Sequence, residues 1–277
     1  MGSQRAITPG VALALIVALA IWVLPQGHDD FTQVLWPAAR AREPYAPGCH
    51  FWYPAWSLYL LKCVAWLPPH VGLVLVWLCS IGLLLICCQK WQTPGLLVLC
   101  APPFLWGMIW GEPFEALILV GLTLASTGKE GLGLMLLMVK PQLGLVPGLV
   151  ALARKPRAAL PAIVVALGTT IGDWLLTGRL WVLPYWQAMT AAEDFTLWNA
   201  GPWRAFGILS LLWLPLGLWM LLSQKDEHRR LFVAYALGLL LSPYWAIYSL
   251  WPLVAMVGCW RENVMLAIGK SCLSACD

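Results

Sequence analysis

An all-α polytopic membrane protein of about ten transmembrane helices, within a range of eight to eleven, is the fold this sequence predicts. Three observations predict it. Of 277 residues, 61% are hydrophobic and only 11% charged, with a mean hydropathy of +0.76; a water-soluble domain would have too few polar side chains to cover its surface. Apolar runs approaching the ~20 residues of a helical crossing recur almost end to end, which leaves one membrane domain over residues 1–277. The 19 tryptophans gather at the ends of those runs, where indole rings favour the headgroup region.

Taken in order, "TPGVALALIVALAIWVLP" (8–25) follows Arg5 and ends without a small-residue cleavage site, so it reads as a retained first span with a cytoplasmic amino end. The first external loop covers about 26–54. Within it, Phe31, Val34, Leu35, Ala38 and Ala41 share one side of a helix while Thr32, Gln33, Arg40 and Arg42 face elsewhere, which describes an interfacial helix bent at Pro37. Runs near 54–68, 71–88, 94–110, 114–127 and 131–153 then lead to "ARKPR" at 153–157, cytoplasmic by the positive-inside tendency. Of these, "AWSLYLLKCVAWLP" and "PFEALILVGLTLAS" are short and equally suit re-entrant or interfacial segments. Residues 158–177 go out and 178–205 form a second large external loop. Residues 206–222 return, 231–243 go out and 245–260 come back. The tail, about 261–277, places both termini in the cytoplasm of a multi-pass plasma-membrane protein.

The formal charge of +4 lies in short clusters between apolar runs, with no basic stripe for nucleic acid. Most of the nine cysteines sit inside apolar runs, where a thiol behaves as a small hydrophobe, and no metal-ligand spacing accompanies them. No cofactor is called for, and a divalent metal is compatible but not implied.

Polarity is out of character in three places. Asp29 and Asp30 stand at the outer membrane boundary. Asp30 with Gln33 makes a capping box, and a fixed carboxylate there equally suits a general base, with Asp29 beside it holding a metal or a substrate hydroxyl, or simply solvated. Lys140, in "MLLMVKPQLGL", carries a cation into an apolar run at a cost of roughly 2.5–3.5 kcal/mol. It must snorkel to an interface, find an anionic partner, or face a cavity, where it would meet a phosphate. The second external loop sets Glu193, Asp194, Asn199 and Arg204 among Tyr185, Trp186, Trp198 and Trp203, a mixture that suits sugar rings and interfacial loops alike. Glu112 and Glu115 in "WGEPFE" lie near a helix start, where the dipole favours negative charge.

The order of "DDFTQVLWPAARAREPY", "FWYPA", "LPPH", "WGEPFEALILVGLTLA", "MVKPQLGL", "ARKP" and "LLSPYWAIY" resembles the family-87 glycosyltransferases of the glycosyltransferase-C superfamily, over about residues 10–255. The resemblance implies a membrane enzyme taking a sugar, commonly mannose, from a polyprenyl-phosphate donor to a glycan, lipid or protein acceptor on the outer face, with membrane lipid around it. It implies that Asp30 is the catalytic base, with Asp29 beside it, and matches the Lys-Pro motif to Lys140 and Pro141. The family's Gly-Gln is here Gly111-Glu112, and in place of a late histidine stand Tyr244 and Tyr248. Lys140 and Arg204 are then expected at the donor phosphate, and Tyr45, Tyr53, Glu112, Gln142, Asn199, Tyr244 and Tyr248 at the substrate. A lipid or small-solute transporter, with Lys140 beside a broken helix, is the competing reading; a noncatalytic scaffold is the third.

Overall fold

The computed structural model describes residues 30–41, 43–45, 51, 53–178, 180–191, 201–202, 206–242 and 246–260, and among them every regular element is a helix. The expected first span at 8–25, Asp29, Asn199, Arg204, Tyr244 and the tail 261–277 lie outside the described residues.

Helix α1 is a π turn, Phe31–Leu35, running into Trp36–Arg40. Phe31, Leu35 and Ala38 are buried as the apolar pattern predicts, Ala39 joins them, and Gln33 and Arg40 face outward. Pro37 has no amide to bond back to Gln33. Just before it, the Trp36 amide donates to the Phe31 carbonyl across five residues, so the irregularity is a widened turn. The capping box is corrected. Asp30 already has helical backbone (φ −62°, ψ −29°) and makes no side-chain cap, because capping needs an extended residue whose side chain can turn back onto the first amides.

Proline sits at the cap or in the first turn of several of the following helices, where the missing N–H costs no helical bond. The run at 54–68 supplies only the short α2, Ala55–Lys62, before α3, Pro69–Lys90. The run at 94–110 is two helices, α4 (Gly95–Leu99) and α5 (Pro102–Ile109). Next come α6, Phe114–Ser126, α7, Glu130–Leu137, and α8, Pro141–Arg154. The expectation of one span over 131–153 is overturned, because α7 and α8 fold back on each other. Lys140, the residue before a proline, is pushed out of helical geometry (φ −123°, ψ 82°), and Pro141 starts a new helix in the reverse direction. Gly148 therefore lies against Leu134, and Lys155 reaches Glu130.

A 3-10 turn at Pro156–Ala158 leads into α9, Ala159–Thr177, closed by Gly178 in the left-handed conformation (φ +72°). Then follow α10 (Val182–Ala191), α11 (Trp213–Ser223, after a 3-10 turn at Gly207–Leu212), α12 (Glu227–Leu241) and α13 (Trp251–Met256, between 3-10 turns). Helices α6 and α7 run antiparallel, as do α8 and α12. Gly121 and Gly133 bring α6 and α7 to backbone contact, where a Cβ on Gly133 would sit 2.7 Å from the Gly121 carbonyl oxygen. Likewise Leu143 meets Gly238, and Arg154 meets Glu227, between α8 and α12.

The core lies among α3, α6, α12 and α13, around Trp77, Ile118, Leu119, Tyr235 and Trp251. Helix α9 is peripheral, and Leu160, Val164, Leu167 and Ile171 on it are exposed. Two helical stretches among the described residues, Pro69–Lys90 and Pro156–Leu175, are long and apolar enough to cross a membrane. By contrast the 8 residues of α7 extend about 12 Å.

Candidate functional site

The fold-back at Lys140 delivers its ammonium to the start of α6. There Lys140 Nζ lies 2.6 Å from Glu115 Oε1 and 3.5 Å from Glu112 Oε2, with all three side chains at most 5% exposed. The cation neither snorkels nor faces water; it has found the anionic partner its burial demands. Glu112 turns its other oxygen to the start of α6, where the Phe114 amide donates to Oε1 at 3.1 Å, so the expected service to a helix terminus is performed as well. Ser249 Oγ donates to Glu115 Oε1 at 2.9 Å, and Tyr235 Oη donates to the Ser249 carbonyl at 2.9 Å, tying α12 and the turn before α13 to the cluster. Glu115 Oε2 is buried without a hydrogen bond.

Tyr53 closes this cluster toward the first loop. Its hydroxyl donates to Glu112 Oε2 at 2.6 Å, and its ring packs on Phe114 with centroids 4.4 Å apart. Burial first, and the Glu112 carboxylate second, push its hydroxyl well above the usual tyrosine range, so Tyr53 keeps the proton that it donates to Glu112. Lys140 Nζ stands 5.3 Å from the Tyr53 ring centre and 5.0 Å from that of Tyr248, so two expected substrate-lining tyrosines sandwich the lysine.

Tyr45 extends the aromatic surface outward. Its hydroxyl donates to the Tyr53 carbonyl at 2.7 Å, and its ring meets Phe51, Trp181 and Tyr185. Trp181 is held by donating to Thr170 Oγ1 of α9 at 2.9 Å. The beginning of the second loop thus packs on the first.

Asp30 stands at the same end of the bundle. Its amide donates to the Trp110 carbonyl at 2.8 Å, two residues before Glu112, and the residue is half-buried. Gln142, in the first turn of α8, is half-buried and stays outside the hydrogen bonds of the cluster. Asp30, Tyr45, Tyr53, Glu112, Lys140, Gln142 and Tyr248 therefore belong to one end of the fold; Asp29, Asn199, Arg204 and Tyr244 lie outside the described residues.

Two members of the cluster escaped the sequence. Glu115 reads as a dipole partner of its own helix, and Ser249 carries no signal. For Glu115 the available clue was electrostatic: isolated opposite charges in apolar runs are driven to meet. Among the described residues no group of three or more His, Cys, Asp or Glu comes together to hold a metal ion. No family model, curated protein or solved structure matches this chain.

Proposed function

We propose that this chain is an integral membrane glycosyltransferase of the glycosyltransferase-C type, resembling family 87. It would carry about ten spans, both termini cytoplasmic, and move a hexose such as mannose from a polyprenyl-phosphate donor to an acceptor at the outer face. The observation that carries the reading is the hydrogen bond from the Asp30 amide to Trp110, which keeps the first-loop aspartate beside the buried Glu112–Glu115–Lys140 cluster and the tyrosines above it.

In this reaction the Asp30 carboxylate takes the proton of the acceptor hydroxyl as its oxygen attacks the anomeric carbon. The bond from that carbon to the phosphate oxygen breaks, and its electron pair leaves on the lipid phosphate, which needs no general acid. Of the two cations assigned to the departing phosphate, Lys140 has its charge balanced by two carboxylates, a setting that repels a further anion. Lys140 is therefore a positioning residue, holding Glu112 and through it Tyr53. The phosphate falls to Arg204.

The test is incubation of the purified protein with a panel of polyprenyl-phosphate sugars and candidate acceptors, following release of lipid phosphate. Asp30→Asn should reduce transfer about 100- to 10,000-fold, the usual worth of a positioned base, while the folded protein persists. Full activity in both Asp30→Asn and Asp29→Asn removes the base assignment. For the phosphate, Arg204→Gln should weaken donor binding more than Lys140→Arg does.

The α7–α8 fold-back favours a second reading, a transporter or flippase, since irregular backbone at membrane depth is tolerated where it is buried or lines a cavity. Flux across proteoliposomes without lipid-phosphate release selects that reading.

A further inference from the structure

At the end of the bundle opposite Asp30, an open groove of about 790 Å³ lies between the α6–α7 turn and the α8–α9 turn. Its lining holds four cations, Lys129, Arg154, Lys155 and Arg157, against one carboxylate, Glu130. That carboxylate is buried and already engaged, with Lys155 Nζ 3.0 Å and Arg154 Nη1 3.5 Å away; Arg154 also pairs with Glu227. Lys129 and Arg157 are exposed and enter none of the ion pairs among the described residues. The groove therefore presents two uncommitted positive charges beside two that are anchored.

What begins at this groove decides the ligand. Helix α9 leaves from its edge, and Leu160, Val164, Leu167 and Ile171 make an exposed apolar stripe at helical spacing directly beyond Arg157. A cationic recess continuous with a greasy stripe left exposed by the described residues matches a molecule with an anionic head and hydrocarbon tails.

We propose that this groove is a binding site for an anionic phospholipid, its phosphate held by Lys129 and Arg157 and its acyl chains lying along α9. Charge complementarity and the continuity of head and tail surfaces commit the site to a lipid rather than to a soluble phosphate. The inference depends on membrane residence and is independent of the glycosyl-transfer reading.

The test uses the full chain, delipidated in neutral detergent and titrated with phosphatidylglycerol or phosphatidylcholine, with bound lipid counted by native mass spectrometry. Phosphatidylglycerol should bind preferentially. At about 1 kcal/mol for each basic residue near an anionic lipid surface, K129Q/R157Q should lose roughly 25-fold in phosphatidylglycerol affinity and leave phosphatidylcholine unchanged. Lys129→Arg with Arg157→Lys should retain it. K90Q/K225Q removes the same charge from the same end outside the groove, and should change little. Equal binding of the two lipids by the wild type, an equal loss in K90Q/K225Q, unchanged affinity in K129Q/R157Q, or glycerol phosphate binding as tightly as the lipid would each overturn the proposal.

Discussion

At the Asp30 end Lys140 and Glu115 lie 2.6 Å apart with side chains 5% and 0% exposed, whereas at the opposite end Lys155 and Glu130 lie 3.0 Å apart at 56% and 2%. The two pairs use the same chemistry at similar distance and differ in how much water reaches the amine. In the first, neither partner can be released without stranding a charge, so the pair acts as a fixed frame on which Tyr53, Tyr248 and Ser249 are arranged. In the second, water screens the amine, so the bond from Lys155 is worth under about 1 kcal/mol while Arg154 still faces the same carboxylate, and the charges open to an outside anion are the neighbouring Lys129 and Arg157. A frame and a docking surface are thus distinguished by burial rather than by residue type.

The largest expected effect breaks the frame. Lys140→Met leaves Glu112 and Glu115 buried without their cation and should cost about 3–5 kcal/mol in unfolding free energy, measured by denaturant titration in mild detergent. Adding Glu115→Leu should recover part of that loss, because it removes the carboxylate nearest the lost amine while Glu112 keeps its bonds from the Phe114 amide and the Tyr53 hydroxyl. If Lys140→Met unfolds together with the wild type, the buried pair is not a frame, and the contrast between the two ends disappears.

Tyr53→Phe sharpens the same end without disturbing the ion pair. It removes a 2.6 Å hydrogen bond to a carboxylate, worth about 1.5–3 kcal/mol, while keeping the ring against Phe114. If the hydroxyl holds the first loop in place, glycosyl transfer should fall with stability. Protease cleavage between Tyr45 and Tyr53 should also quicken. Loss of stability alone would make Tyr53 a structural bond and nothing more.

How much of this contrast is legible in the sequence depends on whether local pattern or distant pairing sets each feature. Helical class follows from composition and spacing, and the buried side of α1 from periodicity alone. That Lys140 requires an anion follows from the cost of a cation among apolar residues. Which anion does not, since Glu115 beside a helix start has a sufficient local explanation and its partner is 25 residues away. The fold-back at Lys140–Pro141 is written in the dipeptide, yet 131–153 has the length of a crossing, so length and proline point to different folds. Asp30–Gln33 has the spacing of a capping box, but capping depends on a backbone angle that the dipeptide spacing leaves open. The meeting of Tyr45 with Trp181 and Tyr185 is tertiary, and nothing near either segment announces it.

The smallest expected effect belongs to the wet end, and pH separates it from the frame. Burial alone would raise the Glu130 carboxyl, but its own backbone amide, with Lys155 and Arg154, outweighs that and holds it below the usual carboxylate range. A carboxyl lowered on folding contributes stability that is complete above its unfolded pKa, near 4.5, and is lost as pH falls through the folded value. Between roughly pH 7 and pH 3, therefore, the wild type should lose its advantage over Glu130→Gln only in the acid half of the range. Lys155→Gln should destabilise by about 0.2–1 kcal/mol at neutral pH and narrow that acid-dependent difference, because one of the groups holding the carboxyl low is gone. High salt should weaken the Lys155 effect and leave the Lys140→Met effect nearly intact, since screening reaches only the pair that water reaches. Equal salt sensitivity of the two variants would mean that water enters both ends alike, and the distinction between frame and docking surface would fail at its physical root.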